Sequence, residues 1–215
     1  MLKSFFTTDT FPKELQSDLS YPWNILSKLP LYLSTFSYTS FDPKKYPKVT
    51  FENPLQIQIG SNVIIEPNVY IKGPCIIEDH VVIRHGAYLR GNVLLQKEAL
   101  VGHGTEVKHA IFQYKASAAH FNYVGNSILG SSCNLGAGVI CANFRLDQKE
   151  IWITDLKGSK HPTHLTKMGA IIGDGSKVGC NSVLSPGTLV EKNTNILPLS
   201  HVKGWVGSSL VKESL

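Results

Sequence analysis

From Ile59 onward an aliphatic residue falls on every sixth position, through Ile65, Ile71, Ile77, Ile83, Leu89, Leu95 and Val101. A second ladder of smaller residues, Val63, Val69, Cys75, Val81, Ala87, Val93 and Ala99, runs four places behind it. Helices repeat their apolar positions about every 3.6 residues and strands about every two, so neither gives an unbroken period of six. A solenoid of hexapeptide units does. Each unit supplies one short flat face and a corner, three faces close a coil, and both ladders point into a core that neighbouring coils share. The predicted class is therefore all-β, a parallel β-helix. Gly60, Gly102, Gly130, Gly136, Gly173 and Gly179 each follow an aliphatic residue, where a corner tolerates backbone angles that glycine reaches easily. A sandwich of short strands would instead need turn clusters about every 8 to 12 residues.

Three regions follow from the pattern. Residues 1–52 are aromatic-rich and punctuated by Pro12, Pro22, Pro30, Pro43 and Pro47. These prolines break any long helix, leaving Phe11 to Leu19 and Trp23 to Leu33 as short helical stretches. The segment is expected to cap or flank the solenoid, whose open end is an exposed sheet edge. Residues 53–205 form the coils and residues 206–215 a tail. The register slips between Val101 and Leu129, resumes through Leu135 and Cys141, and breaks again from Lys149 to Met168. That second interruption, carrying Trp152, Gly158 and Pro162, reads as a projecting hairpin or loop. The last coils run on Ile172, Val178, Leu184, Val190 and Ile196.

Composition narrows the class further. The chain has 215 residues, 42% hydrophobic and 17% charged, as suits one body with an ordinary core. No apolar run is long enough to span a bilayer, and Met1 to Phe6 lack a signal-peptide apolar region, so a cytoplasmic protein without membrane contact is expected. Cys75, Cys133, Cys141 and Cys180 form no CxxC pair, and the first three sit on ladder positions as small buried hydrophobes. The formal charge of +5 comes without Lys/Arg runs and points to anionic small molecules sooner than nucleic acid.

Polar residues gather at the first register break: Lys108, His109, Lys115, His120, Asn122, Tyr123 and Asn126. The stretches Ala119-His120-Phe121-Asn122-Tyr123-Val124-Gly125-Asn126 and Asn134-Leu135-Gly136-Ala137-Gly138 resemble the acetyltransferase domain of the bifunctional N-acetylglucosamine-1-phosphate uridyltransferase/glucosamine-1-phosphate acetyltransferase family. Ala142-Asn143-Phe144-Arg145-Leu146-Asp147 and Lys167-Met168-Gly169-Ala170-Ile171-Ile172-Gly173 look most like its archaeal-type branch. The resemblance covers roughly residues 55–205. It implies a left-handed β-helix, a homotrimer with sites between subunits, and acetyl-CoA as co-substrate with glucosamine 1-phosphate as acceptor. Carried over, it puts the catalytic histidine on His120, a site acid on Glu106, and sugar-phosphate contacts on Arg90, Lys108, Tyr123, Asn134 and Lys149, counted without a gap. Asn143, Phe144, Ala137 and Cys180 fall along the acetyl-CoA channel. Cys180 stands where bacterial members carry a serine, and the last coils look shorter than theirs. The family's nucleotidyltransferase domain has no counterpart in the first fifty residues, so uridylyl transfer is not expected.

The residue types suit that chemistry on their own. Acetyl transfer to an amine needs the amine neutral, and a histidine titrating near neutrality can take its proton. Backbone N–H groups at the Gly136-Ala137-Gly138 corner can face a tetrahedral oxyanion. Arg90 and Lys108 lie eighteen residues apart, three hexads, so they stack on one face, and an anion between them relieves their repulsion.

Other readings use the same residues. Arg90 and Lys108 also fit a solvated basic stripe, Glu106 a neutraliser of Lys108 or an orienter of His120, Asn134 a left-handed corner, and Tyr123 a core position. His80, His85 and His103 faintly echo zinc-binding β-helix enzymes, although no metal is expected. A non-catalytic trimeric sugar-phosphate or sugar-nucleotide scaffold of the same fold is the main alternative. The tail at Lys203-Gly204-Trp205 is expected to reach across to a neighbour and cover the coenzyme channel.

Overall fold

The inward ladder continues well beyond the stretch that reveals it. A computed structural model describes residues 1–7, 10–16, 20–207 and 210–211. From Ile77 to Val107 the fully inward residues are six apart, and Phe112 follows Val107 after only five positions. Five also separate Val124 from Leu129. The slip is therefore one residue removed from a corner, twice, always the same corner. The ladder then runs through Leu135, Cys141, Ile172, Val178, Leu184, Val190, Ile196 and Val202, none more than 4% exposed.

The coils stack into three parallel sheets of eight strands each, so the fold is the predicted β-solenoid. Face A runs from Thr50–Glu52 through Tyr70–Lys72, Tyr88–Leu89, Glu106–Lys108, Tyr123–Gly125 and Ile140–Cys141 to His201–Val202. Face B runs from Ile57–Ile59 to Trp205–Val206, and face C from Ile64–Ile65 to Leu210–Val211. The shortened corner lies between faces A and B. The second ladder changes chemistry along the solenoid, from aliphatic residues to Thr105, Ser176, Ser182, Thr188, Thr194 and Ser200, all buried. Their hydroxyls donate to main-chain carbonyls, as Thr194 does to Glu191 at 2.7 Å and Ser200 to Leu197 at 2.7 Å. Burial therefore leaves no unpaired oxygen at these positions.

Face B is buried on both sides. Its outward column, Ile76, Leu94, Ile111, Ile128, Ile171 and Leu189, is at most 4% exposed because the N-terminal segment lies along it. The segment runs lengthwise from the last coils to the first. Its main chain accepts from Lys192 at Ser4, from Asp174 at Phe5 and from Gln96 at Thr10, and ends with Thr39 donating to Gln58. The hairpin Trp152–Thr154 and Lys160–Pro162 leaves at the A-to-B corner and folds onto the same layer, with Ile151 and Ile153 buried in it. Trp205 belongs here as well. Its ring lies 5.2 Å from that of Phe5 and its indole N–H donates to Glu191 at 3.1 Å, so the expected reach toward a neighbour is spent within this chain. Of the tail, residues 208–209 and 212–215 lie outside the described residues, as do residues 17–19 of the first expected helical stretch. Among the described residues no helix is long and apolar enough to cross a membrane.

Helix α1, Asn24–Thr35, buries Ile25, Leu26, Leu29 and Leu33 on one face and passes through Pro30. A proline inside a helix costs about 3 kcal/mol, partly because the carbonyl four residues back loses its donor. That carbonyl is Leu26, and the His109 imidazole supplies the missing donor through Nε2 at 2.9 Å. The clasp replaces the bond that Pro30 removes from the helix expected over Trp23 to Leu33.

Burial holds His109 below its ordinary pKa, with the Lys108 charge adding to the shift and the Leu26 hydrogen bond opposing it. The unfolded chain therefore takes up a proton near pH 6.5 that the folded chain refuses, so this contribution is present above that pH and lost on acidification. His109→Gln is expected to lower the Tm at pH 7.5, with the gap to wild type narrowing by pH 5.5. A gap independent of pH in thermal unfolding would contradict a neutral buried imidazole.

Candidate functional site

Among the described residues no segment lies along face A as the N-terminal segment does along face B, and its side chains stand in two columns fixed by strand register. One column holds Tyr70, Tyr88, Glu106 and Tyr123. The other holds Lys72, Arg90, Lys108 and Gly125, and continues through Ala142 and Ser185. Arg90 and Lys108 are thus neighbours across one strand pair. Arg90 is bound to Glu106 at 2.7 Å, so Glu106 serves the arginine and has no described contact with His120.

Lys108 has no carboxylate partner among the described ion pairs. Its pKa is held below the usual lysine range, first by burial, then by the charges of Lys167 and Arg90, with Glu106 acting against them. Lys108, itself half-buried, thus feels two exposed cations, of which Arg90 is already paired with Glu106, and binding an anion would relieve this. Lys167 is the member that counting along the sequence missed. The excursion of residues 142–168 returns it to the face, where it bridges Phe144 and its ammonium lies 5.4 Å from that ring. Lys149 is exposed on the excursion, its N–H donating to Asp147, and has no described contact with the cluster. The signal was available, because Lys167 immediately precedes the Met168-Gly169-Ala170 re-entry into the coils.

Beside the cations lies a chain of neutral polar groups. The Tyr123 hydroxyl donates to Asn143 Oδ1 at 3.3 Å, and Asn143 Nδ2 donates to Asn126 Oδ1 at 2.7 Å. Burial, followed by the Glu106 charge, raises the Tyr123 pKa, so the hydroxyl keeps its proton. Gly125 makes room for this chain: a Cβ there would come within 2.7 Å of the Tyr123 hydroxyl and 2.9 Å of Asn143 Nδ2. Past Phe144 the face opens into a cleft of about 640 Å³ lined by Ala142, Phe144, Ser185 and Lys203.

His120 sits on the edge between faces C and A, exposed, at the apex between inward Ala118 and inward Asn122. Asn122 occupies a second-ladder position that is aliphatic in the early coils. It is 3% exposed, its Oδ1 accepts the His120 N–H at 3.2 Å, and its Nδ2 donates to the Gly136 carbonyl at 2.7 Å. A buried amide thus fixes the corner that carries the imidazole. The next coils place Ala137 and then Cys180 on this edge. Gly136 donates to Val178 and Gly138 to His120, while the Ala137 N–H has no partner among the described residues. Of the three expected oxyanion donors, Ala137 alone is uncommitted. Cys180 is exposed, and a Cβ on Gly136 would meet its Sγ at 3.0 Å.

Asn134 stands on face C, exposed, beside Ser117 and Lys177. It is separated from the cation cluster of its own chain by the His120 edge. His85 and His103 stack at 5.4 Å further along that edge, and His103 Nδ1 donates to the His85 carbonyl at 2.7 Å. Among the described residues no three His, Cys, Asp or Glu side chains group as metal ligands.

Comparison with known proteins finds relatives of the chain as a whole. Residues 56–91 match the family described as bacterial transferase hexapeptide (six repeats). The bifunctional protein GlmU of Methanococcus maripaludis strain C7 is 41% identical over 186 residues, 84% of this chain and 43% of that protein. A bifunctional sugar-1-phosphate nucleotidylyltransferase/acetyltransferase of Sulfurisphaera tokodaii is 33% identical over 102 residues, 47% of this chain and 25% of that protein. The chain therefore spans less than half the length of these curated relatives. Among solved structures, the UDP-N-acetylglucosamine acyltransferase from Campylobacter jejuni aligns with a TM-score of 0.44 at 14% identity, over 72% of this chain and 65% of that one.

The cluster predicts which lysine holds an anion. Lys167→Ala is expected to weaken inorganic phosphate binding about tenfold or more, as loss of a charge-assisted contact does, and Lys149→Ala far less. Equal losses in a calorimetric titration would contradict the placement.

Proposed function

We propose that this chain, a hexapeptide-repeat protein related in sequence to archaeal bifunctional GlmU proteins, is an acyl-CoA-dependent N-acyltransferase acting on an aminosugar phosphate, with acetyl-CoA and glucosamine 1-phosphate as the simplest pair. The observation that carries the reading is the unneutralised Lys108, crowded by Arg90 and Lys167 on the open face beside the His120 edge. A phosphate on these three cations puts a sugar next to an imidazole and an uncommitted backbone N–H. The remaining polar groups, Tyr123, Asn143 and Asn126, suit sugar hydroxyls. The cleft at Phe144 and Lys203 suits the coenzyme arm and its phosphates.

In the proposed reaction the amine nitrogen attacks the thioester carbonyl carbon and the C–N bond forms. His120 takes the proton the amine loses, and the Ala137 N–H faces the oxyanion. The intermediate then collapses, the C–S bond breaks, and the proton passes to the departing thiolate. In this reading Cys180, one coil beyond Ala137 on the same edge, would lie beside the thioester.

Asn134 joins the same site only from another copy, because face C of one solenoid must meet face A of the next. A closed three-copy ring supplies that contact three times and uses the two faces that the N-terminal layer leaves free. Lys149, exposed on the excursion, would act across such an interface in this reading.

His120→Ala is expected to leave phosphate binding intact while lowering kcat by about 10² to 10⁴-fold, the usual worth of general-base assistance. Coenzyme A release is followed with acetyl-CoA and glucosamine 1-phosphate. Tight binding of both without turnover by wild type would favour the scaffold reading, and unchanged turnover in the variant would remove His120 from its role.

A further inference from the structure

Two features of face A remain unused by a sugar monophosphate. The cation column continues past Arg90 to Lys72, whose register partner it is, and Lys72 senses the Arg90 charge although it pairs with Glu52 at 2.6 Å. Alongside stand Tyr70 and Tyr88, their rings edge-on at 5.3 Å, with the Arg90 guanidinium 5.8 Å from the Tyr88 centroid. Tyr88 is 40% exposed, and no other described segment of its own chain lies over it. A single phosphate held among Arg90, Lys108 and Lys167 does not reach the rest of this row. Lys72 and the tyrosine pair lie beyond it, Lys72 and the Tyr70 hydroxyl both bound to Glu52 and the Tyr88 ring exposed.

Adjacent strands are about 4.8 Å apart, so Lys108 to Lys72 spans about 10 Å, the reach of a diphosphate with its ribose. Lys72, Arg90, Lys108 and Lys167 face two carboxylates, Glu52 and Glu106, leaving two positive charges for the two negative ones of a diphosphate diester. An exposed ring at the far end of such a row is a stacking platform, and stacking on tyrosine tolerates any base. We infer that the acceptor is a nucleoside-diphosphate-linked aminosugar, its diphosphate lying across Lys108 and Arg90 and its base against Tyr88. The inference rests on the acyltransferase reading above and specifies the acceptor for that same site: the amine stays at the His120 edge while the nucleotide runs toward the first coils.

The test is calorimetric titration of the full chain with UDP-glucosamine and with glucosamine 1-phosphate, for wild type, Tyr88→Leu and Lys72→Gln. Wild type is expected to bind the nucleotide-linked sugar at least tenfold more tightly than the sugar phosphate. Tyr88→Leu is expected to remove most of that preference, and Lys72→Gln to reduce it more in low salt than in high salt. Equal wild-type affinities, or a preference that both variants retain, would overturn the inference and leave the sugar-phosphate reading standing. Failure of wild type to bind either ligand would overturn both.

Discussion

Every coil of this protein buries its inward residues only because the next coil lies on top of it, and that shared core constrains all else. A single hexad has no interior, so the ladder residues cannot be moved, lengthened or made polar without a partner in the adjacent coil. The corners absorb the variation. Both one-residue deletions and the long excursion occur where face A turns into face B, while the ladder on either side stays in register. Binding groups can therefore collect on the edges and outward columns of face A without disturbing the core, as active residues collect on loops of other scaffolds.

The two outward faces next to that corner have opposite fates. Face B presents isoleucines and leucines and is sealed by the N-terminal segment, whereas face A presents charges and tyrosines and stays open. The two are joined at residues 108 and 109. Lys108 turns to face A as a cation without a described carboxylate partner, and His109 turns under face B to hold the Leu26 carbonyl that Pro30 has stranded. His109 lies in the left-handed backbone region, φ 48°, which lets adjacent side chains serve opposite faces.

The period of six made the solenoid legible, since no other architecture keeps it over so many turns. The stacking of Arg90 on Lys108 was legible for the same reason: three hexads return a residue to its column. The path of the N-terminal segment was not, because its contacts are long-range and its prolines argued only against helix. A clue lay in the face B strands, Cys75–Ile77, Val93–Leu95 and Ala110–Phe112, where three apolar residues run together as they do in strands buried on both faces. Counting without a gap from His120 led to Lys149, whereas the fold brings Lys167 to the cluster, because an excursion of unknown length erases register until the ladder resumes. Nor could the spacing foresee that Glu106 would pair with Arg90, since both columns of a face advance together.

The central claim is that one phosphate sits among Arg90, Lys108 and Lys167 while the amine of the same molecule faces the His120 edge. The most direct measurement is a crystal structure of the full chain soaked with glucosamine 1-phosphate and coenzyme A. The account predicts phosphate oxygens within hydrogen-bond distance of the Lys108 and Lys167 ammonium groups, the amine toward His120, and the coenzyme thiol beside Ala137. A phosphate bound elsewhere, with Lys108 still unpartnered, would contradict it.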